Sequence, residues 1–519
     1  MKKRILALFI CSVMIVSCFL TSCELDYESI DLSAIESAVR EEVSTMNDGK
    51  ETGGFGNGGN NNSNGNTDTG KENGKENGSK PGGGNPDLGG DLEIPELDFN
   101  GNTYRVLTNL VTTDSLLSNG GENYYDNAAC QRQIYIEEAL NMKFENVICD
   151  CDSTRFVLNV QTYVLSGEQL DLVEGDAKAM ITLAYQGIFV DLDYIDSINT
   201  DAPYWNQNAV RDLRTSNDSL FFIDGAISMG NMERAMVVFF NEDIVNNYGF
   251  TSPYEYMYDG RWTVEALKGM ASNVYQDTNC DTTMNIADDT YGYVSVVNQF
   301  VAFALYHVGE SSVTFNSEKR SFELNWKNER MIDAYTDASD LRNSGYAYVG
   351  DTDEKHLVQD AFKNGRALFC TDVFVNRDLY SNDGEISLGV VPMPKADQNA
   401  LDYVSFLYST PNLYSISITT CWAYETAIIM EAMAAYGYVQ ILPAYTVREA
   451  ISADMSEALT VIYNSLYYDL SWHGNLGVTS IASQLIGGNG LSSTLASQEK
   501  SIVLQRTEWD KNASLNVGK

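Results

Sequence analysis

Histidine and carboxylate side chains are the residues of this chain that could carry out acid–base chemistry. The sequence contains three histidines, His307, His356 and His473, and they lie far apart along the chain. No segment matches the H-E-x-x-H, G-x-S-x-G or G-x-x-x-x-G-K-[ST] patterns of enzymes. Two of the 72 acidic residues could form a glycosidase pair, but so many carboxylates also meet by chance. We therefore predict that the protein is not an enzyme.

Residues 277–289 carry oxygen-bearing side chains at the spacing of a calcium-binding loop. Loop positions 1, 3, 5, 9 and 12 are occupied by Asp277, Asn279, Asp281, Asn285 and Asp288. This is the spacing of an EF-hand-type loop, in which hard oxygen ligands surround one cation. Thr282 stands where the sharp turn normally needs glycine, and Asp288 is shorter than the usual bidentate glutamate. We predict a structural calcium site, with an acidic turn that binds no metal as the alternative.

Residues that could bind a small molecule follow two predicted segments. Glu174 and Asp176 come after a predicted strand at residues 169–173, where carboxylates could accept hydrogen bonds from hydroxyl groups or cap the next helix. Tyr204 and Trp205 could cover the apolar face of a sugar ring or pack in the core. We predict that these four residues contact a ligand.

A charged pair stands directly before a predicted buried strand. Residues 235–241 form a continuous apolar run with β-branched and aromatic side chains, which is typical of such a strand. Glu233 and Arg234 immediately precede the run, an unusual position for two charges. We predict that the pair contacts a ligand or forms an ion pair between two lobes of the fold.

The segments around this strand alternate between strand and helix. Residues 242–248 have helical character and end at Gly249, which suits the left-handed position after a helix. Thr263 can cap the helix that follows. Alternating strands and helices predict mainly parallel sheets, whose ligands bind beyond the carboxyl ends of the strands. At 519 residues, 44% of them hydrophobic, the chain is long enough for two or more domains.

The chain is strongly acidic, with a formal net charge of −39. This charge excludes a nucleic-acid-binding role that depends on neutralising phosphates. It also opposes adsorption of the folded part to an anionic membrane surface. Any membrane attachment therefore has to come from a separate anchor.

The amino terminus has the features of a bacterial lipoprotein signal peptide. Three basic residues precede an apolar run at residues 5–20. The run ends in Leu-Thr-Ser-Cys at residues 20–23, a pattern in which the cysteine is lipidated. We predict that residues 1–22 are removed and that acyl chains on Cys23 anchor the protein to the outer face of the cytoplasmic membrane. A plain signal peptide or a transmembrane anchor is the alternative.

The segment after Cys23 is predicted to be a tether. Residues 53–90 are mostly Gly, Asn, Ser, Lys and Glu, and such a composition cannot bury a core. A flexible chain of this length spans roughly 35 Å. We assign residues 23–94 to the tether. The sequence leaves the pairing of the later cysteines open, and we expect most of them to be free or buried: Cys130, Cys149, Cys151, Cys280, Cys370 and Cys421.

A series of short motifs in the rest of the chain resembles the extracellular solute-binding proteins of ABC importers, of the sugar-binding type represented by maltose-binding protein (family 1). Asp126 and Arg132 match the opening of an early helix, and residues 169–192 with the Pro-Tyr-Trp at 203–205 match a strand–helix–Gly–Asp-Leu pattern. Later matches are residues 362–369, 388–395 and 443–445. The resemblance covers about residues 100–470 and weakens after Tyr445.

The resemblance implies an α/β fold of the periplasmic-binding-protein kind (type II, helix-rich), with two interleaved lobes joined by a hinge. Crossings between the lobes are expected near Ala235, Val390 and Tyr445. The implied lobe I comprises residues 95–230 and 391–445. The implied lobe II comprises residues 231–390 and 446–519.

The resemblance also implies a function. A lipid-anchored monomer would capture an oligosaccharide between the lobes and deliver it to the permease subunits of an ABC importer. A peptide ligand, and a surface protein of adhesive or structural type, are the alternatives that the residues leave open. Matching position adds four further ligand-binding candidates, namely Tyr291, Tyr293, Trp422 and Tyr445.

Overall fold

The computed structural model describes residues 97–109, 116–121, 124–381 and 386–515 of the chain. The predicted signal peptide, Cys23 and the predicted tether lie outside these residues. Within them the strands are β1 Thr103–Asn109, β2 Lys143–Cys149, β3 Leu172–Asp176, β4 Met236–Asn241, β5 Tyr291–Val296, β6 Val313–Asn316, β7 Ser321–Leu324, β8 Ala347–Gly350, β9 Ala367–Val373, β10 Leu388–Pro392, β11 Ser405–Phe406, β12 Asn412–Ile416 and β13 Leu466–Tyr467.

The helices of the same residues surround these strands. They are α1 Tyr124–Ala139, α2 Ser153–Ser166, α3 Ala177–Tyr185, α4 Gln207–Asp212, α5 Glu242–Tyr248, α6 Pro253–Tyr258, α7 Val264–Ala271, α8 Val297–Tyr306, α9 Glu329–Arg342, α10 Lys355–Lys363, α11 Arg377–Ser381, α12 Ala423–Tyr436, α13 Leu442–Arg448, α14 Ala453–Asn464, α15 Leu470–His473, α16 Val478–Ile486 and α17 Leu491–Ser514.

Sheet one has the strand order β12-β3-β1-β2. Its first three strands along the chain run parallel to one another, and β12 is antiparallel to β3. β12 comes from residues 412–416, so a late segment returns to complete a sheet that begins at residue 103. The chain is therefore interleaved between its two main sheets.

Sheet two has the strand order β10-β4-β9-β5-β8. β5 is parallel to both β8 and β9, whereas β4 runs antiparallel to its two neighbours, β9 and β10. All six residues of β4 and all six of β5 are buried. A strand that is buried on both faces needs a continuous apolar run, which explains the composition of residues 235–241.

Several predicted helix boundaries are confirmed. Gly249 follows α5 with a φ of 66°, in the left-handed region that glycine tolerates best. The Thr263 hydroxyl accepts a hydrogen bond from the N–H of Ala266 at 3.2 Å and so caps α7. The side chain of Asn241, at the end of β4, accepts from the N–H groups of Asp243 and Ile244 and starts α5.

One strand boundary differs from the sequence prediction. Glu174 and Asp176 were expected to follow a strand at residues 169–173, but they belong to β3. β12 pairs with these residues in register, with Tyr414 opposite Glu174 and Asn412 opposite Asp176. This partner strand lies more than 230 residues later in the chain, so no local pattern around residue 174 signals the pairing.

The described chain joins the folded body beside the start of β1. Phe99 is buried, and its ring centroid lies 5.6 Å from that of Tyr104. The N–H of Phe99 donates to the carbonyl oxygen of Leu140 at 2.8 Å. Residues 97–102 therefore lie at the amino end of β1.

The continuous helical segment Ala423–Arg448 is the one helix of the described residues that is long and apolar enough to cross a membrane. More than half of its apolar window is buried inside the fold. α12 packs against α1 and β12, and its residues Ile429 and Met433 are buried. The apolar composition is that of a core helix.

The last helix, α17, contacts both sides of the molecule. On the side of sheet one, the indole Nε1 of Trp509 donates to the carbonyl oxygen of Ile181 in α3 at 2.9 Å. On the side of sheet two, α17 packs against β7 and α9, and Glu499 pairs with Lys327 at 2.8 Å. The residues predicted for lobe II thus include a helix that also lies against sheet one.

Candidate ligand-binding site

The site can be located from the direction of the strands. In sheet one, β1 and β3 end at Asn109 and Asp176, and in sheet two β9 ends at Val373. Because β4 is antiparallel to β9, its first residue, Met236, pairs with Val373. The tight turn Met232–Arg234, directly before β4, therefore lies at the edge of sheet two where a ligand is expected.

Glu233, in this turn, forms an ion pair with Arg377, and both residues fall within the range predicted for lobe II. Its Oε2 accepts from Nη1 of Arg377 at 2.5 Å, and its Oε1 accepts from the hydroxyl of Tyr445 at 2.6 Å. Arg377 also donates through Nε to Oε2 of Glu449 at 2.6 Å. The Glu449 carboxylate accepts a further hydrogen bond from the hydroxyl of Tyr125, in the first turn of α1. This set of five residues is called the Arg377 network below.

A second group of polar residues surrounds Arg234. Asp224 is the acidic residue of this group. Ile223 forms an antiparallel bridge with Tyr414, so Asp224 lies at the same edge of sheet one as the end of β3. Its Oδ2 accepts a hydrogen bond from the hydroxyl of Tyr468. Burial raises the pKa of Asp224 to about 6, although hydrogen bonds and the nearby Arg234 oppose the shift.

His473 and Tyr463 complete this group. Burial, together with the charge of Arg234, lowers the pKa of His473 to about 3, so its imidazole is neutral at physiological pH. The His473 ring lies 6.5 Å from that of Tyr468. Tyr463 belongs to α14, which packs against β10 of sheet two. The group, called the Asp224 cluster below, thus joins the edge of sheet one to a helix on the side of sheet two.

Three atoms of the Asp224 cluster are buried without a hydrogen-bond partner among the described residues. They are Oδ1 of Asp224, the hydroxyl of Tyr463 and Nε2 of His473. A buried polar group that lacks a partner costs about 1–3 kcal/mol, so such atoms call for an explanation. They present one acceptor and two groups that can pair with either a donor or an acceptor.

The structure gives Glu174 and Asp176 internal partners. Glu174 is fully buried and accepts from the N–H of Leu116 at 3.1 Å and from the hydroxyl of Tyr414 at 3.3 Å. Asp176 caps α3 through the N–H of Ala179 at 3.0 Å. Both lie at the expected edge of sheet one, and Asp176 has the helix-capping role that the sequence left open.

Tyr204 and Trp205 pack beside α12. Only 1% of Trp205 is exposed, and its indole Nε1 donates to Oε1 of Glu431 at 2.8 Å. The hydroxyl of Tyr204 donates to the same carboxylate. Trp205 therefore has the packing role, because its ring offers no open face in this conformation, whereas Tyr204 is half-buried.

Three of the four candidates chosen by matching position lie elsewhere. Tyr293 is buried within β5 and donates to Oγ1 of Thr371 at 2.9 Å. Tyr291 is the first residue of β5, and Trp422 has its ring 6.5 Å from that of Tyr104, near the start of β1. The amino ends of these strands are opposite the carboxyl ends, so the structure does not bring Tyr291 or Trp422 to the candidate site.

The predicted calcium loop is held by its own backbone. Asp277 accepts from the N–H groups of Asp281 and Thr282, at 3.2 and 2.8 Å. Thr282 adopts a φ of 71°, the left-handed conformation for which such a loop normally uses glycine. In the described part of the chain, no group of three or more His, Cys, Asp or Glu residues is placed to hold a metal ion. Calcium at Asp277, Asn279, Asp281, Asn285 and Asp288 stays a prediction.

Sequence reasoning missed most members of the Arg377 network and the Asp224 cluster. Arg377, Asp224 and Tyr468 are separated by long stretches of chain, and each looks like an ordinary polar residue at the end of an apolar segment. Their position in the sequence could have identified them, because residues directly after predicted strands lie at the edge of the sheet where ligands bind. Their mutual contacts are visible only in three dimensions.

No protein-family model and no curated protein matches this chain. Solved structures do match. The crystal structure of M. tuberculosis UspC shares 12% sequence identity over 78% of this chain and 100% of its own, with a TM-score of 0.51. The galacto-N-biose-/lacto-N-biose I-binding protein of the ABC transporter from Bifidobacterium longum, in complex with lacto-N-biose, shares 11% identity over 80% of this chain and 99% of its own, with a TM-score of 0.50.

The chain has the two-lobe fold of ABC substrate-binding proteins. The fold class predicted from the sequence is therefore confirmed, with sheets one and two as the centres of the lobes. At this low identity the likeness concerns the fold alone. The exact residue boundaries of the two lobes stay a prediction.

Proposed function

We propose that this protein is the substrate-binding component of an ABC importer and captures a neutral oligosaccharide between its two lobes. The observation that carries the proposal is the Asp224 cluster, which lies between the edge of sheet one where β3 ends and α14, a helix that packs against β10 of sheet two. The fold supports the proposal, since a structural neighbour of this chain holds lacto-N-biose.

The chemistry of the Asp224 cluster favours hydroxyl groups. A sugar hydroxyl both donates and accepts, so it can satisfy Oδ1 of Asp224 and the hydroxyl of Tyr463 in turn. The neutral His473 offers a further partner without adding charge. The carboxylate of Asp224 would repel a ligand anion, and Arg234 would repel a ligand cation. A neutral polyol therefore fits better than a charged peptide terminus.

Binding in this site requires no chemical step by the protein. The polar atoms of the Asp224 cluster are buried in this conformation, so the lobes would have to separate before ligand hydroxyls could reach them. Closure over the ligand would then exclude solvent and strengthen the hydrogen bonds. A site built for hydroxyl groups discriminates strongly against analogues that lack them, because its own polar atoms would be left unpaired.

A thermal-unfolding screen tests the proposed ligand class. Lacto-N-biose, maltotriose and raffinose are compared with neutral and charged tripeptides. A ligand at a hundred times its dissociation constant stabilises the fold by about 2.7 kcal/mol. We expect at least one sugar to raise the melting temperature and the peptides to have no effect. Stabilisation by peptides alone would overturn the sugar assignment.

Two matched variants locate the binding site. Tyr463→Phe removes only the buried hydroxyl and should weaken the stabilisation by the active sugar. Tyr194→Phe removes the hydroxyl of a tyrosine that is 72% exposed and should leave it unchanged. Equal sugar responses in both variants would contradict the assignment of the Asp224 cluster as the site.

The anchoring and location of the protein are part of the same proposal. A lipid on Cys23 would hold the protein at the outer face of the cytoplasmic membrane, where permease subunits could receive the sugar. Replacing Cys23 with alanine should leave the precursor unprocessed or release the protein into the medium. Normal processing and unchanged partitioning of that variant into detergent would exclude lipidation at Cys23.

A further inference from the structure

Arg377 connects segments that belong to different parts of the fold. It is the first residue of α11, a few residues after the end of β9 in sheet two. Its guanidinium reaches Glu233, directly before β4, and Glu449, at the end of α13. Both partners lie near predicted crossings of the chain between the lobes. One side chain therefore fixes three separate segments.

Tyrosines extend the contacts to the other lobe. Tyr445 donates to Glu233 at 2.6 Å, and Tyr125 donates to Glu449. The rings of these tyrosines have centroids 5.0 Å apart. Tyr125 lies in α1, which packs against β2 of sheet one and against α12. The Arg377 network consequently runs from sheet two, through two crossing segments, to a helix of sheet one.

The network is protected from solvent, which makes it hard to rearrange. Only 9% of Arg377 is exposed, and its guanidinium lies 4.5 Å from the ring centroid of Phe374. Burial opposes the charge, but Glu233 and Glu449 raise the pKa of Arg377, so it stays ionised. Removing one partner of a buried ion pair leaves an uncompensated charge, and that is strongly unfavourable.

We propose that Arg377 is a positioning residue that holds the two lobes of the ligand-free protein in one relative orientation. A movement of sheet one against sheet two has to break or bend the hydrogen bonds that Tyr125 and Tyr445 donate to the two carboxylates paired with Arg377. If Arg377 leaves, two carboxylates that share its charge are left close together. The network thereby sets the population of the conformation in which Glu233 and Arg234 face the site.

This role predicts an effect on affinity that needs no contact with ligand. When only a fraction of molecules has the binding-competent orientation, the apparent dissociation constant rises in inverse proportion to that fraction. The orientation that Arg377 holds has to be given up when the lobes close on a ligand, so loss of Arg377 should lower the apparent dissociation constant without any change to the Asp224 cluster. The orientation itself can be measured in the absence of ligand, so the test does not depend on the proposed sugar-binding function.

Two native cysteines provide labelling sites on the two lobes. Cys421 is exposed between β12 and α12 of sheet one, and Cys280 is exposed in the loop before β5 of sheet two. The chain from residue 23 onward is prepared with Cys23→Ser and Cys130→Ser. Cys149 and Cys151 are joined by a disulfide and Cys370 is buried, so the spin label attaches to Cys280 and Cys421. Double electron–electron resonance then gives the distribution of distances between the two spin labels, one on each lobe.

We expect a narrow distribution in the parent and a broader or shifted one in Arg377→Ala. Arg261→Ala is the control, because it removes an ion pair with Asp259, between α6 and α7, in which both side chains are exposed. An unchanged distribution in folded Arg377→Ala would overturn the proposal. If this variant does not fold, the double variant Tyr125→Phe/Glu449→Gln is measured instead. A distance distribution that is unchanged from the parent would again overturn the proposal. Circular dichroism and the melting temperature establish that each variant is folded.

Discussion

At the scale of single residues, Asp224 and His473 are buried titratable groups with opposite effects on stability. The pKa of Asp224 is raised from 3.8 to about 6, so its neutral form is favoured by folding. Its contribution is complete below pH 3.8 and is lost as the pH rises to about 6. The pKa of His473 is lowered from 6.5 to about 3, so its contribution is complete above pH 6.5 and is lost as the pH falls. In the parent, the free energy of unfolding falls with rising pH because of Asp224 and rises because of His473, and the two effects partly cancel.

Of these two contributions to the pH dependence of the free energy of unfolding, Asp224→Asn should leave only that of His473. Between pH 4 and 6.5 the free energy of unfolding of this variant should rise more steeply with pH than that of the parent. A shift of two pKa units corresponds to about 3 kcal/mol, which is the upper limit of the difference. Urea unfolding at half-unit pH steps measures both proteins. Parallel curves would show that Asp224 does not titrate in this way.

Trp205 provides a second test at this scale. Replacing it with alanine should cost about 3–5 kcal/mol of stability, because a large buried ring is lost. The carboxylate of Glu431 would also lose the indole N–H as a donor. Tyr194→Ala, at an exposed position, serves as the control and should be nearly neutral. Denaturant unfolding of both variants gives the comparison, and a small loss for Trp205→Ala would instead favour the ligand-contact role.

At the scale of elements, local signals in the sequence are sufficient for parts of the fold that form locally. The run at 235–241 is β4, and Gly249 and Thr263 delimit α5 and α7 as expected. These features depend on neighbours within a few residues. The pairing of β12 with β3 and the contact of Arg377 with Glu449 depend on residues far apart in sequence, so no local pattern encodes them.

The loop at residues 277–289 gives a prediction for one element. If calcium binds, the parent should release heat on titration after chelator treatment, and its melting temperature should rise. Asp277→Ala combined with Asp281→Ala should abolish both effects, because it removes two oxygen ligands. Isothermal titration and thermal unfolding, with magnesium as the control ion, make the comparison. Flat traces in parent and variant alike would leave the loop as a turn held by its backbone hydrogen bonds.

At the scale of the whole molecule, two lobes that close on a ligand predict a change in shape. The sugar that raises the melting temperature should shorten or narrow the distances between labels at Cys280 and Cys421. A sugar that lacks any thermal effect is the control. Tight binding without a change in these distances would indicate a rigid site. The resemblance of the motifs to solute-binding proteins was enough to predict the two-lobe fold, whereas most residues at the candidate site became visible only in three dimensions.

The place where the chain joins the body has a consequence for how the molecule is oriented. Residues 97–102 lie at the amino end of β1, whereas the candidate site lies at the carboxyl ends of the strands. The length of β1, which has seven residues, separates its amino end from its carboxyl end by roughly 23 Å. If Cys23 is the membrane anchor, the candidate site would lie on the side of the folded domain opposite its attachment to the tether, and it would face the membrane only if the domain rotates. Residues 23–96 could extend to roughly 240 Å, so the number of residues before the fold, rather than the fold itself, decides whether the site can face the surface.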